Sequence, residues 1–146
     1  MNKSKGFTII ELIVVIAIIA ILAAIVLVNV TTYINKAKDA RIKSDMGSIA
    51  LAMGSCFSSN QGSSYAGCFA NTTYIPTALT TDITGQGGTA VAVTSDATIA
   101  AETPAGQEYC ASTKLNDGTY LCVDYTGVTK NTATSICTTT ITACPN

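Results

Sequence analysis

Residues 12–28 form an unbroken apolar run, and residues 7–11 extend it with only Thr8 and Glu11 polar. Seventeen apolar residues lie at the lower limit for crossing a bilayer; with residues 7–11 the segment reaches the usual ~20. Its many Ile and Val lower helix propensity in water, but in lipid the backbone must satisfy its own hydrogen bonds, so a helix is expected. Further on, Ile42, Met46, Ile49 and Met53 recur at spacings of four, three and four among Lys, Asp, Arg and Ser, which is one apolar stripe on a helix. The pattern predicts a single helix over residues 7–53, roughly 70 Å long at about 1.5 Å per residue. It is apolar all round to residue 28, amphipathic afterwards, and left at Gly54-Ser55.

Beyond residue 55 the chain changes to short segments rich in Thr, Val, Tyr and Cys, punctuated by Gly and Asn. Residues 57–73 and 80–106 read as loops, with Gly85-Gln86-Gly87-Gly88 the most mobile stretch and a short strand at residues 89–93. Residues 108–115 and 119–125 flank Asn116-Asp117-Gly118, and this predicts a β-hairpin, since the turn needs residues that tolerate positive φ. A last strand is expected from Val128 or over residues 135–141. The predicted architecture is α+β: a long N-terminal helix, transmembrane then amphipathic, packed on a small antiparallel sheet. Its expected parts are a leader (1–6), the helix (7–53) and a β-rich domain (54–146).

Charge and cysteine content sharpen this division. Residues 1–53 carry six Lys or Arg against three Asp or Glu, whereas residues 54–146 carry two against six. An acidic C-terminal part lacks the clustered cations that phosphate contacts require, so no direct nucleic-acid partner is expected. All six cysteines (Cys56, Cys68, Cys110, Cys122, Cys137, Cys144) follow the apolar segment. An even count in a small domain beyond a membrane segment implies disulfides in an oxidising compartment. Zinc is disfavoured because the chain has no His and no Cys-x-x-Cys pair. Six cysteines allow fifteen connectivities. Proximity favours Cys56–Cys68 and Cys137–Cys144, and Cys110 and Cys122 share a hairpin face, offset by two residues.

Candidate chemistry is sparse. Without His there is no imidazole base or His-based triad, and no phosphate-binding glycine motif occurs, so no enzymatic activity and no cofactor are expected. Asp117 and Asp124 form a weak calcium pattern, because the remaining oxygen ligands are missing. Asn71-Thr72-Thr73 is a sequon. Glu11 is different: an acid inside an apolar membrane segment is expensive and marks a functional site by default. Snorkelling from the helix end to the headgroups is its bland explanation.

The head of the chain, Lys5-Gly6-Phe7-Thr8-Ile9-Ile10-Glu11-Leu12-Ile13-Val14-Val15 continuing through Ala23-Ala24-Ile25, resembles the prepilin family, the type IV pilins and the pseudopilins of type II secretion. A basic leader ending in Gly, an aromatic next, Glu five positions after that Gly and an apolar helix together make the resemblance specific. It covers about the first third of the chain. The resemblance implies a pilin-like fold, cleavage after Gly6 by a membrane-embedded prepilin peptidase, and N-methylation of Phe7. It also implies that Glu11 pairs with the new Phe7 amine, on a neighbour or on its own chain. Elementary physics agrees: Gly6 leaves room for a protease to close on the backbone, and Lys3 and Lys5 hold the leader on the cytoplasmic side. The chain departs from the family at Ala20 and Val28, where many members have Gly and Pro, so a loosened helix there does not carry over.

The resulting expectation is a structural subunit of a type IV pilus. It would sit in the inner membrane as a single span with a cytoplasmic N-terminus, then join identical subunits in a helical homopolymer through the inner-membrane assembly machinery. Ala17, Ala20, Ala23 and Ala24 would allow close helix approach in the filament core. The alternatives are a type II secretion pseudopilin in a periplasmic pseudopilus, favoured by the Lys-Ala-Lys-Asp-Ala-Arg stretch, and a membrane-anchored ectodomain that binds a ligand.

Overall fold

The computed structural model describes residues 6–59, 64–95, 106–135, 137 and 143–145. Helix α1 spans Ile9–Ser59 without interruption. The chain divides into two units, residues 1–35 and 36–146, and α1 contributes to both.

In the first unit every described large apolar side chain from Phe7 to Ile34 is exposed, from 42 % at Val30 to 88 % at Phe7. Among the described residues α1 is the one helix long and apolar enough to cross a membrane. Its backbone is regular through Ala20 and Val28, as two helix-compatible residues require.

The second unit is built on the predicted stripe. Ile42, Met46, Ile49 and Met53 are all buried, and the same spacing continues in both directions to Asp39 and Cys56. Both ends of the stripe are pinned. Asp39 Oδ1 accepts the Asn116 backbone N–H and the Asn116 Nδ2–H, each at 2.8 Å, and Cys56 is bridged to Cys68. The helix therefore does not leave at Gly54-Ser55: burying Cys56 on the same face carries it one turn further, and tertiary packing overrides the glycine.

Four antiparallel strands follow in sequential order, β1 (Ala92–Ser95), β2 (Tyr109–Lys114), β3 (Tyr120–Asp124) and β4 (Thr129–Thr132). The expected hairpin is β2–β3, with Lys114 opposite Tyr120 and Cys110 opposite Asp124. Its turn closes through Leu115 N–H to Thr119 O at 2.8 Å, and Gly118 takes φ 89°, open only to a residue without Cβ strain. Side chains alternate across the ladder. Tyr109, Ala111, Leu121 and Val123 join the cluster containing the α1 stripe, while Cys110 and Cys122 form a second cluster with Cys137, Cys144 and Val128. Both faces of the hairpin are thus covered, which is why its strands are buried almost throughout.

Two loop expectations change. Strand β1 lies at Ala92–Ser95 rather than residues 89–93; Thr89 instead clamps the end of β2, its carbonyl accepting from Thr113 Oγ1 at 2.7 Å and its Oγ1 from Lys114 N–H at 2.9 Å. Residues 80–106, expected as loop, contain part of a second helix, α2 (Thr77–Gly85). Threonine is a poor helix former, but here Thr80 and Thr84 return their hydroxyls to carbonyls three or four residues back. Buried Ile83 anchors α2 in the core, and Arg41 Nε donates to Asp82 Oδ2 at 2.7 Å. The Gly85–Gly88 stretch is the C-terminal cap of α2, with Gly87 at φ 94° and Gly88 N–H bonded to Ile83 O at 2.9 Å. The fourth strand is β4; residues 136 and 138–141 of the expected 135–141 strand lie outside the described residues.

Beside the Arg41–Asp82 bond, half-buried Asp45 has a buried Oδ2 with no hydrogen-bond partner among the described residues. Burial and the facing Asp82 carboxylate raise the Asp45 pKa, against the pull of Arg41. The Arg41 and Gln86 hydrogen bonds hold Asp82 below the usual carboxylate range. The signs oppose. A raised folded pKa at Asp45 means stability present below the unfolded value and lost as pH rises through the folded one. A lowered pKa at Asp82 means stability present above the unfolded value and lost as pH falls. Asp45→Asn is therefore expected to raise Tm at pH 7, by more than at pH 4. A Tm lowered at pH 7 would show that Asp45 supports the Arg41 contact instead.

Candidate processing and assembly site

The head of the chain is organised by a local hydrogen-bond exchange. Glu11 Oε2 accepts the Thr8 backbone N–H at 2.8 Å and the Thr8 Oγ1–H at 2.7 Å, while Glu11 N–H points back to Thr8 Oγ1 at 3.4 Å. This is a capping box: Thr8 caps the first turn of α1, and the acid three residues on returns the bond. A negative charge in the first turn also complements the helix dipole. Thr8 was not singled out from the sequence, although Thr-x-x-Glu before an apolar run is the readable signature of such a cap.

The box fixes how the acid is presented. Glu11 lies on an exposed surface with Phe7, Ile10, Val14 and Val15, lining a shallow groove of about 370 Å³. Its Oε1 has no hydrogen-bond partner among the described residues. Thr8, whose N–H it binds, directly follows Phe7, so a new amine at Phe7 would arise one residue from the carboxylate. Gly6 is exposed, and a Cβ added there meets nothing within 4 Å. Neither packing nor positive φ demands glycine at that position. Ala17, Ala20, Ala23 and Ala24 are exposed along the same helix.

The other candidates fall into two groups. All six cysteines are bridged, as Cys56–Cys68, Cys110–Cys137 and Cys122–Cys144. The first pair agrees with expectation; the Cys137–Cys144 and Cys110–Cys122 pairs are corrected. With Ser112 opposite Cys122 and Cys110 opposite Asp124, Cys110 and Cys122 are diagonal neighbours. Diagonal Cα atoms lie about 7–8 Å apart, beyond the ~7 Å limit for a bridge. Each instead bonds outward to the C-terminal segment, with Cα–Cα separations of 5.4 and 5.9 Å.

The two acids of the calcium pattern are not brought together. Asp117 sits in the hairpin turn and caps Thr119, whose hydrogen bonds lower its pKa. Asp124 lies at the far end of β3, buried, accepting from Thr126 N–H and Oγ1–H, Val128 N–H and Cys144 N–H. These bonds occupy both of its oxygens. Asn71 of the sequon is exposed, with Oδ1 turned to Thr73 N–H at 2.9 Å.

Residues 1–27 match the family model described as the prokaryotic N-terminal methylation motif. That motif is the prepilin signature of type IV pilins and pseudopilins, and this chain carries it. No curated protein and no solved structure matches the chain. The match ends at residue 27, before the second unit begins at Lys36.

Proposed function

We propose that this chain is a structural subunit of a type IV pilus, made as a prepilin and polymerised through its N-terminal helix. The observation that carries this is the matched head, in which an unhindered Gly6 precedes an exposed Phe7 and a capped, outward-facing Glu11. Residues 1–6 are the leader, removed by a prepilin peptidase on the cytoplasmic side of the inner membrane, and the Phe7 amine is methylated. Residues 7–28 hold the chain as a single span before assembly and form the filament core afterwards. An exposed apolar helix is at rest in lipid and, once extracted, must be covered by identical helices. There Glu11 neutralises the amine at Phe7, since a charge in low dielectric is costly unless paired. The cysteine-bridged unit forms the outer surface.

Three disulfides in the second unit, and the placement of Asp117 and Asp124 at opposite ends of β3 with separate protein donors, support a pilus over a periplasmic pseudopilus. The test is intact mass with N-terminal sequencing of protein shed from cells. The expected chain begins at N-methylated Phe7, and its deletion removes surface filaments. A Met1 or Asn2 terminus on exported protein overturns the proposal; normal filaments with lost secretion would make this a pseudopilin.

A further inference from the structure

The face of the β2–β3 hairpin that carries Cys110 and Cys122 holds an unusual concentration of sulfur. Cys122 Sγ is bonded to Cys144, yet it also lies 3.5 Å from Cys110 Sγ and 3.8 Å from Cys137 Sγ. One sulfur of the second bridge thus touches both sulfurs of the first. Cys110 and Cys122 are fully buried, while Cys137 and Cys144 keep slight exposure. The Cys56–Cys68 bridge belongs to the other cluster, around the α1 stripe.

Thiol–disulfide exchange needs a thiolate placed against a disulfide sulfur and a leaving sulfur behind it. We propose that Cys122 is an exchange relay: once its bond to Cys144 opens, its thiolate attacks Cys137, forming Cys122–Cys137 and releasing Cys110. Attack on Cys110 is not productive, because the resulting diagonal bridge would span two paired strands. Cys137 lies beyond β4, outside the strand ladder, and can follow the new bond.

The balance is simple. A dithiol reductant attacks Cys144 Sγ, breaking Cys122–Cys144 and leaving Cys122 as thiolate. The second thiol of the reductant displaces Cys144 as thiolate, and the reductant becomes a disulfide. The relay step then makes one S–S bond and breaks one, with no electron gained or lost. A reducing equivalent entering at Cys144 emerges at buried Cys110, while the C-terminal segment stays tethered through Cys122–Cys137. In reverse, Cys110 attacks Cys137 of a mispaired Cys122–Cys137 bridge and frees Cys122, which a disulfide oxidant then joins to Cys144, itself becoming a dithiol. Asp124, whose Oδ2 binds Cys144 N–H at 2.8 Å, holds that last partner in place. One two-electron reduction therefore rearranges both C-terminal bridges while one S–S bond remains, and the same contact corrects their pairing during oxidation.

The test uses the full chain in detergent with less dithiothreitol than bridges, quenched by alkylation and mapped by peptide mass. The expected first product is alkylated at Cys110 and Cys144, contains a Cys122–Cys137 link, and keeps Cys56–Cys68. Alkylation at Cys122 and Cys144, with Cys110–Cys137 intact, overturns the proposal. Cys144→Ser checks it without any reductant: the free thiol should label Cys110 at least as strongly as Cys122, and faster as pH rises towards the thiol range. Label confined to Cys122 at every pH overturns it equally.

Discussion

Replacing Glu11 by leucine is expected to leave the second unit folded and the chain in the membrane, while filaments fall by about a hundredfold or more, the lower end of the cost of an uncompensated buried charge. Among the described residues the Glu11 carboxylate is hydrogen-bonded to Thr8, so its loss removes a helix cap and nothing in the core. On the proposed pairing, the assembled helices would then hold the Phe7 amine without its counter-charge. Glu11→Gln separates the two roles of the side chain. Glutamine still returns a hydrogen bond to Thr8, because a capping box accepts either residue, but it carries no charge. Both variants should therefore fail alike when sheared surface protein is compared with membrane-bound protein. If glutamine restored filaments to the wild-type amount, the cap and not the charge pairing would be the function of this position. Thr8→Val gives the complementary result: it weakens the cap and keeps the charge, so only a modest drop is expected.

The head shows why some residues were legible in the sequence and others were not. Glu11 stood out because an acid in an apolar run has a single-residue signature, whereas Thr8 did not, though it completes a four-residue motif. Its hydroxyl looked like a tolerable break in hydrophobicity. The α1 stripe was legible from Ile42 to Met53 because a 3.6-residue period is local. Its two pins were not: Asp39 finds Asn116 across 77 positions, and Cys56 extends a helix past a glycine that propensity alone would treat as its end. The hairpin was legible because turn and flanking alternation occupy one short window.

Helix α2 was hidden for the opposite reason. A threonine-rich segment has no local preference for helix, and the groups that select it, Ile83 in the core and Asp82 on Arg41, act across about forty positions. Disulfide connectivity failed on geometry rather than distance along the chain. Cys110 and Cys122 do share a face, as expected, and their sulfurs do meet. The ladder register sets their Cα atoms diagonally, so each must look elsewhere for a partner. That register depends on the Asp117-Gly118 turn, and no spacing of cysteines encodes it.

Asp124→Ala is expected to be the most destabilising single change outside the apolar stripe. The carboxylate is buried at 2 % exposure and accepts four hydrogen bonds, three of them from backbone N–H groups of Thr126, Val128 and Cys144. Bonds to a charged acceptor contribute about 1.5–3 kcal/mol each, and water entering the truncated site recovers part of that, so a net loss of roughly 3–5 kcal/mol follows. In a domain of this size that is on the order of 10–20 °C in Tm. Asparagine is only a partial remedy. It keeps one accepting oxygen for Thr126 and Val128 but turns an N–H₂ towards the Cys144 N–H, donor against donor, so about half the loss should remain. Urea unfolding of the oxidised full chain in detergent gives the midpoints, and disulfide mapping of the same samples reports how much Cys122–Cys144 forms. An alanine variant within about 1 kcal/mol of wild type, below the ~1–3 kcal/mol of even one stranded buried donor, would mean that the two bridges hold the C-terminal segment unaided. Calcium offers an independent check on the same carboxylate. With both oxygens already engaged by protein donors, added calcium should leave the wild-type midpoint unmoved, whereas a shift would require Asp124 to release Cys144.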